Sequence, residues 1–273
     1  MKRIVPTLAL ALALATSAAQ AAMTDWTEVQ GGAVRLIASG PLKDGHYLAG
    51  LEFLLEPGWH TYWRYPGESG IPPQISIPDA GNVEDVEILY PAPERFDDGF
   101  SQSIVYHDGI VLPIRVIPGN PQEAVRFAVE VFFGVCNEIC VPGDASLSLD
   151  LSPEAESDKL AAKLIARDLA AVPAANAGRD LEITSVTRPE NSDNLVIKAR
   201  VPGAPSPDLF AAGPEGSYIG LPELTGEGNG EATWKLPTKG LSVTDGDSTL
   251  RLVLSAGGKA VERLQPIDPD WVK

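Results

Sequence analysis

From Trp26 onward, glycine, proline, asparagine and aspartate cut the chain into short apolar stretches at intervals of about ten residues, and this punctuation restricts it to a fold of short strands. Ala33–Ile37, Tyr47–Leu55, Ile110–Ile117 and Arg126–Phe133 each read as one strand. Leu147, Leu149 and Leu151 alternate with Ser148 and Asp150, the period of two expected of a half-buried strand. The regular turn signals predict a β-sandwich. Residues 152–173 break the pattern: Ser152 and Pro153 read as an N-cap followed by proline at the first helical position. Leu160, Leu164 and Ile165 then recur at helical spacing, Lys159, Lys163 and Arg167 fall on the polar side, and Pro173 ends the run. Strands resume after Gly178, at Leu181–Val186, Leu195–Val201, Glu231–Leu236 and Leu250–Leu254. The expectation is an all-β chain of two sandwich domains, residues 22–152 and 178–273, joined by a helical linker over 153–177.

Residues 1–21 read as an address rather than as part of the fold. Lys2 and Arg3 precede an apolar run from Ile4 to Ala15, and Ala19-Gln20-Ala21 is a small-x-small cleavage site. The run is shorter than the ~20 residues of a spanning helix. A signal peptide cut after Ala21 or Ala22 is expected, with no cysteine at the cut for lipid attachment. No later stretch is long enough to span a membrane, so the mature chain is expected to be exported and periplasmic. Its formal charge moves from −16 to −18 on losing those two cations. Such an acidic surface argues against nucleic acid or anionic lipid as partners.

Chemistry centres on the two cysteines of the chain, Cys136 and Cys140 in Phe132-Phe-Gly-Val-Cys-Asn-Glu-Ile-Cys-Val-Pro142. If Asn137-Glu138-Ile139 form a three-residue hairpin loop, the cysteines flank it as cross-strand neighbours, within reach of a disulfide. Spacing alone leaves three readings open. A stapling bridge is common in exported proteins, but a ring of about five residues contributes only about 2 kcal/mol by loop entropy. A redox-active dithiol gains from close spacing, since one thiol resolves a mixed disulfide formed by the other. Two soft thiolates also suit Cu(I).

Three stretches resemble the periplasmic N-terminal (α) domain of the DsbD and ScsB thiol:disulfide interchange proteins, with a spacing closer to the ScsB branch. They are Gly58-Trp-His-Thr-Tyr-Trp-Arg64 with Pro66-Gly67 and Gly70-Ile-Pro-Pro73, then Pro93–Pro113, then Cys136–Pro142. The resemblance covers about 120 residues and implies an immunoglobulin-like β-sandwich that shuttles electrons without a bound cofactor. It also implies roles: Cys140 attacks the partner disulfide, Cys136 resolves, and Phe100, in a cap loop with Asp97 and Asp98, shields the dithiol until a partner docks. Full-length family members continue into a transmembrane electron carrier and a thioredoxin-like domain. Neither is found in this sequence, so a separate membrane donor is expected, with thioredoxin-like or disulfide-isomerase proteins of the periplasm as acceptors. The alternative is a copper-binding or copper-stress protein with Cys136 and Cys140 as ligands.

The remaining candidates have blander readings. Trp59, Tyr62 and Trp63 are expected to pack the core, and Arg64 to pair with the Glu68 loop. His46, His60 and His107 are expected on the surface or in loops. Gly67-Glu-Ser-Gly70 lacks the nucleophile elbow of a serine hydrolase. Glu84, Asp85 and Glu87 read as a solvated face. Asp97 and Asp98 do too, but a carboxylate in the cap loop would also disfavour a nearby thiolate and slow unguided exchange. The second domain contains neither cysteine nor histidine and reads as a docking or orienting module.

Overall fold

The computed structural model describes residues 22–78, 81–176, 181–203, 205–244 and 246–272. The expected signal peptide lies outside them. Eleven strands come first: β1 (Thr27–Val29), β2 (Gly32–Ala38), β3 (Tyr47–Leu55), β4 (His60–Gly67), β5 (Gln74–Ser76), β6 (Val83–Ile88), β7 (Glu94–Asp97), β8 (Gln102–His107), β9 (Gly109–Pro118), β10 (Val125–Cys136) and β11 (Cys140–Leu151). A helix, α1 (Lys159–Leu169), precedes eight more: β12 (Ala174–Ala175), β13 (Glu182–Thr187), β14 (Asn194–Arg200), β15 (Asp208–Ala212), β16 (Glu223–Gly228), β17 (Glu231–Pro237), β18 (Thr249–Ala256) and β19 (Lys259–Pro266).

The protein is all-β, built as two immunoglobulin-like sandwiches. The first pairs a sheet of order β1-β2-β3-β9-β6 with one of order β11-β10-β4-β8-β7, to which β5 adds beside β10. The second pairs β12-β19-β18-β15 with β13-β14-β17-β16. Alternation decides which residues meet between the sheets. In β10, Phe127, Val129, Val131, Phe133 and Val135 turn inward, and Phe133 packs edge-on against Phe53 of β3 at 5.1 Å between ring centroids. The apolar core runs on into the second sandwich, where Trp63 of β4 faces Phe210 of β15 at 6.4 Å.

Of the nineteen strands among the described residues, nine coincide with the expected runs and ten lie outside them, β4 and β8 among these. β4 and β8 carry buried side chains on both faces, so neither displays the period of two by which a half-exposed strand is recognised. The helix differs more. It begins at Lys159, capped by Asp158, whose carboxylate accepts from the N–H groups of Leu160 and Ala161. Ser152 instead closes a short turn, its hydroxyl accepting from Glu154 N–H and its carbonyl from Ala155 N–H, and the helix is capped only at Asp158, which is extended. The helix is not a free connector. Ala161 and Ile165 pack on Ile37 and Val111, and buried Asp168 accepts from Val111 N–H at 2.7 Å. Lys159, Lys163 and Arg167 face solvent as expected, but so does Leu160, one position away from the buried stripe.

Candidate active site

Antiparallel pairing of β10 with β11 sets Cys136 directly opposite Cys140, with Asn137-Glu138-Ile139 as the loop between them. The two Cα atoms are 4.1 Å apart and the sulfurs form a disulfide. That separation is near the ~4.5 Å of a narrow cross-strand pair rather than the ~5.5 Å of a hydrogen-bonded one. The two halves of the bridge differ in access: Cys136 is 1% exposed, whereas Cys140 begins the returning strand on the open side.

Sheet register extends the pair into a row. Cys136 also faces His60 of β4, and His60 faces His107 of β8, so four residues from four strands stand side by side. Alternation in β4 then puts Tyr62 on the same face as His60 and sends Trp63 to the core. Tyr62, Val105 and Cys136 are buried together, with Phe96 of β7 against them. Phe96 lies 4.9 Å from the His60 ring and 5.4 Å from His107, whose Nδ1 donates to Glu94 at 3.1 Å.

A short polar chain leads to the exposed sulfur. Tyr62 Oη is 3.5 Å from Cys140 Sγ and 3.3 Å from His60 Nε2. A disulfide sulfur accepts only, so the Tyr62 hydroxyl donates to it and His60 carries its proton on Nε2 to donate in turn. Burial, and secondarily the charge of Asp98, pushes the Tyr62 hydroxyl up to about 12, which keeps it a donor. Burial, helped by His107 and opposed by Asp98, lowers His60 to about 4, so the imidazole is neutral at pH 7.

This makes a stability prediction. An unfolded imidazole titrates near 6.5 and the folded one near 4, so between these values the unfolded chain binds the extra proton. Stability is expected to fall as pH drops from about 6.5 towards 4, and His60→Gln should lose this component. Urea midpoints at pH 7 and pH 5 measure it; an equal pH dependence in the variant would contradict the assignment.

The cap residues are arranged otherwise than expected. Asp97, Asp98 and Phe100 form the tip of the β7–β8 hairpin, where Asp98 accepts from Phe100 N–H and Ser101 N–H, and those bonds, Ser101's foremost, hold its carboxyl below the usual range. Asp97 accepts from Gly99 N–H. The tip turns the Phe100 ring outward, 99% exposed, so it does not lie over the cysteines. The hairpin ring that joins the cluster of Tyr62, Val105 and Cys136 is Phe96, four residues earlier, which projects from paired strand rather than from the turn.

Other expectations are also redrawn. His60 is buried in a strand rather than on the surface. Arg64 does not pair with Glu68: its guanidinium stacks on Tyr90, 4.1 Å from the ring centroid, while Glu68 accepts from Gln102 N–H at 2.7 Å. Among the described residues, no group of three or more His, Cys, Asp or Glu is disposed to hold a metal ion, and no helix is long and apolar enough to cross a membrane. A cleft of 1170 Å³, lined in part by Arg64, Phe132, Tyr218 and Arg251, includes neither cysteine and is not where the sulfur chemistry lies.

The arrangement is a hairpin disulfide with one sulfur on the open side and the other buried. Comparison agrees with that chemistry. Residues 30–152 match the family described as thiol:disulfide interchange protein DsbD, N-terminal. No curated protein matches the chain. Among solved structures it is similar to the N-terminal periplasmic domain of ScsB from Proteus mirabilis, with 23% identity and a TM-score of 0.69 over 90% of this chain and 98% of that one. At this identity the likeness speaks to the fold, over a span too long to be confined to either sandwich.

Proposed function

We propose, from the premise that residues 30–152 belong to the DsbD N-terminal family, that this protein is a periplasmic thiol:disulfide carrier. It takes electrons from a separate membrane donor and reduces thioredoxin-like or disulfide-isomerase partners through Cys136 and Cys140. Export by the 1–21 segment supplies the compartment. Residues 22–152 act as the redox unit and 178–273 as the orienting unit, on either side of the 153–177 segment. The observation that carries the reading is the unequal access of the two sulfurs in one hairpin.

In the reduced protein, the Cys140 thiolate attacks one sulfur of the partner's disulfide. A mixed disulfide forms and the partner's other sulfur leaves as a thiolate. Cys136, once deprotonated, then attacks Cys140 Sγ, re-forming the internal bridge and releasing the partner's second thiolate. Two electrons have moved to the partner, and no cofactor is needed. Tyr62 stands where it donates to Cys140 sulfur, stabilising the thiolate form of the attacking group. Asp98 acts on the same site with opposite sign, its charge disfavouring a second anion nearby.

The reduction potential of the pair tests this. The mature protein, equilibrated in graded thiol/disulfide buffers and trapped with an alkylating agent, is expected to read roughly between −180 and −270 mV. A value below about −300 mV is that of a structural bridge and would end the proposal.

A further inference from the structure

The second sandwich is tied to the first, and the space left between them is a formed cleft. Arg95 of β7 donates from Nε and Nη2 to the two carboxylate oxygens of Asp208 of β15, at 3.1 and 2.9 Å. The Tyr65 hydroxyl donates to the Ile219 carbonyl, and Tyr218 Oη to the Glu68 carbonyl at 2.7 Å. The cleft's 1170 Å³ exceeds the ~300–1,000 Å³ of small-molecule pockets, which leaves room for a longer ligand.

One lining residue lacks a partner. Arg64 holds its guanidinium over the Tyr90 ring, and its Nε is sealed from solvent with no hydrogen-bond partner. Burial, and after it the charge of Arg251, pulls its pKa below the ordinary arginine value. Among the described residues the carboxylate that acts on it is Glu262, and Glu262 is already paired with Arg251. A guanidinium so placed is costly to hold unless an anion meets it, and its planar fork matches a carboxylate. The other carboxylates of the lining, Glu130, Asp144, Glu215 and Asp247, are all exposed, whereas Arg64 and Arg251 are part-buried. Charge in the cleft thus runs from exposed anions to sunken cations.

The walls supply a second, independent signal. β5 pairs with β10 through Gln74, Ile75 and Ser76 and has no strand on its other side among the described residues. All three residues line the cleft, so it is bordered by a strand edge with backbone N–H and C=O groups to spare. Phe132, Tyr218 and Leu264, 41%, 64% and 54% exposed, add apolar surface to the lining. An extended peptide adds to such an edge by main-chain hydrogen bonds, and the walls take up its alternate side chains.

We infer that the cleft binds the C-terminal tail of a partner protein as an extended peptide beside β5, its terminal carboxylate on Arg64 and Arg251 and its basic side chains against the exposed acids. A chain end can be sunk past those acids to the part-buried guanidinium groups, whereas a chain passing through would have to carry its backbone down and out again. The inference goes beyond the carrier reading and needs neither thiol. The cleft includes neither cysteine, so a tail held there leaves the disulfide free for the rest of the same partner.

Calorimetric titration of the purified disulfide form tests it, with the peptide acetyl-Lys-Val-Lys-Val-Lys-Phe as its free C-terminal acid and as its amide. The chain has a formal net charge of −16, so nonspecific attraction favours the amide, which is the more cationic. The cleft predicts the reverse: the acid is expected to bind about tenfold more tightly, through charge-assisted hydrogen bonds that the amide cannot make. Arg64→Gln should bring that ratio to one or below. Phe132→Ala removes an exposed ring and should weaken acid and amide alike by a few-fold, which keeps the location testable should Arg64→Gln fail to fold. An amide peptide with Glu in place of the central Lys carries its carboxylate away from the end and should bind no more tightly than the plain amide. Equal binding of acid and amide by the wild type, binding of neither at millimolar concentration, or an undiminished ratio in folded Arg64→Gln would overturn the inference. So would acid-like binding of the internal-Glu amide, or unchanged affinity in Phe132→Ala. The reduction potential is a separate measurement, and a value in the structural range would defeat the carrier reading while leaving these affinity ratios untouched.

Discussion

Cys136→Ser is expected to accumulate a stable mixed disulfide with a partner, and Cys140→Ser to form none, although both lose turnover to the uncatalysed rate. The difference follows from access. In Cys136→Ser the exposed Cys140 still attacks, but no second thiol remains to release the product. In Cys140→Ser the surviving thiol is one that was 1% exposed in the bridge, buried with Tyr62 and Val105. Non-reducing gels of each variant with a disulfide-bearing thioredoxin-like protein read the result directly. Equal trapping by both variants would mean that the hairpin does not order the two sulfurs, and the assignment of Cys140 as attacking thiol would go.

A second large effect is expected far from the sulfur. Phe133→Ala removes a ring that is fully buried and packed edge-on against Phe53. Truncating such a ring costs about 3–5 kcal/mol, from lost transfer energy and from the cavity left behind. In a domain whose whole stability is about 5–15 kcal/mol, that is enough to leave the protein marginal at 37 °C. Phe132→Ala, one residue earlier on the same strand, removes a ring that is 41% exposed and points to the other face, so a loss of about 1 kcal/mol is expected. Urea midpoints of the two variants compare the faces of β10 directly. Similar losses would mean that the alternation does not set the core.

The same alternation marks the boundary between what is legible locally and what is not. In β11, β14, β17 and β18 one face is apolar and the other largely polar, and period alone locates each strand within a few residues. The Cys136–Cys140 pairing is equally local, since a three-residue loop leaves its flanking residues opposite each other whatever lies beyond. β4 and β8 escaped because they are covered on both sides, and a strand covered on both sides has no polar face to beat against. The helix start was misplaced because Ser152-Pro153 and Asp158 both carry capping chemistry, and only packing of Ala161 and Ile165 on Ile37 and Val111 selects the later one.

The sequence by itself therefore determined the all-β class, the alternating strands, the hairpin with its cysteine pair and, by resemblance, thiol:disulfide interchange as the general chemistry. Each depends on residues within a dozen positions of one another or on motifs read in order. Only the tertiary structure decided what surrounds the sulfur. The row Cys140–Cys136–His60–His107 brings together β4, β8 and the β10–β11 hairpin, and its register is settled by which faces are buried. That Phe96 rather than Phe100 joins the apolar cluster beside the disulfide follows from where strand pairing ends and the turn begins. The grip of Asp208 on Arg95 spans 113 residues of chain. Contacts of that separation leave no local period or spacing to read, because they exist only once the sheets have packed.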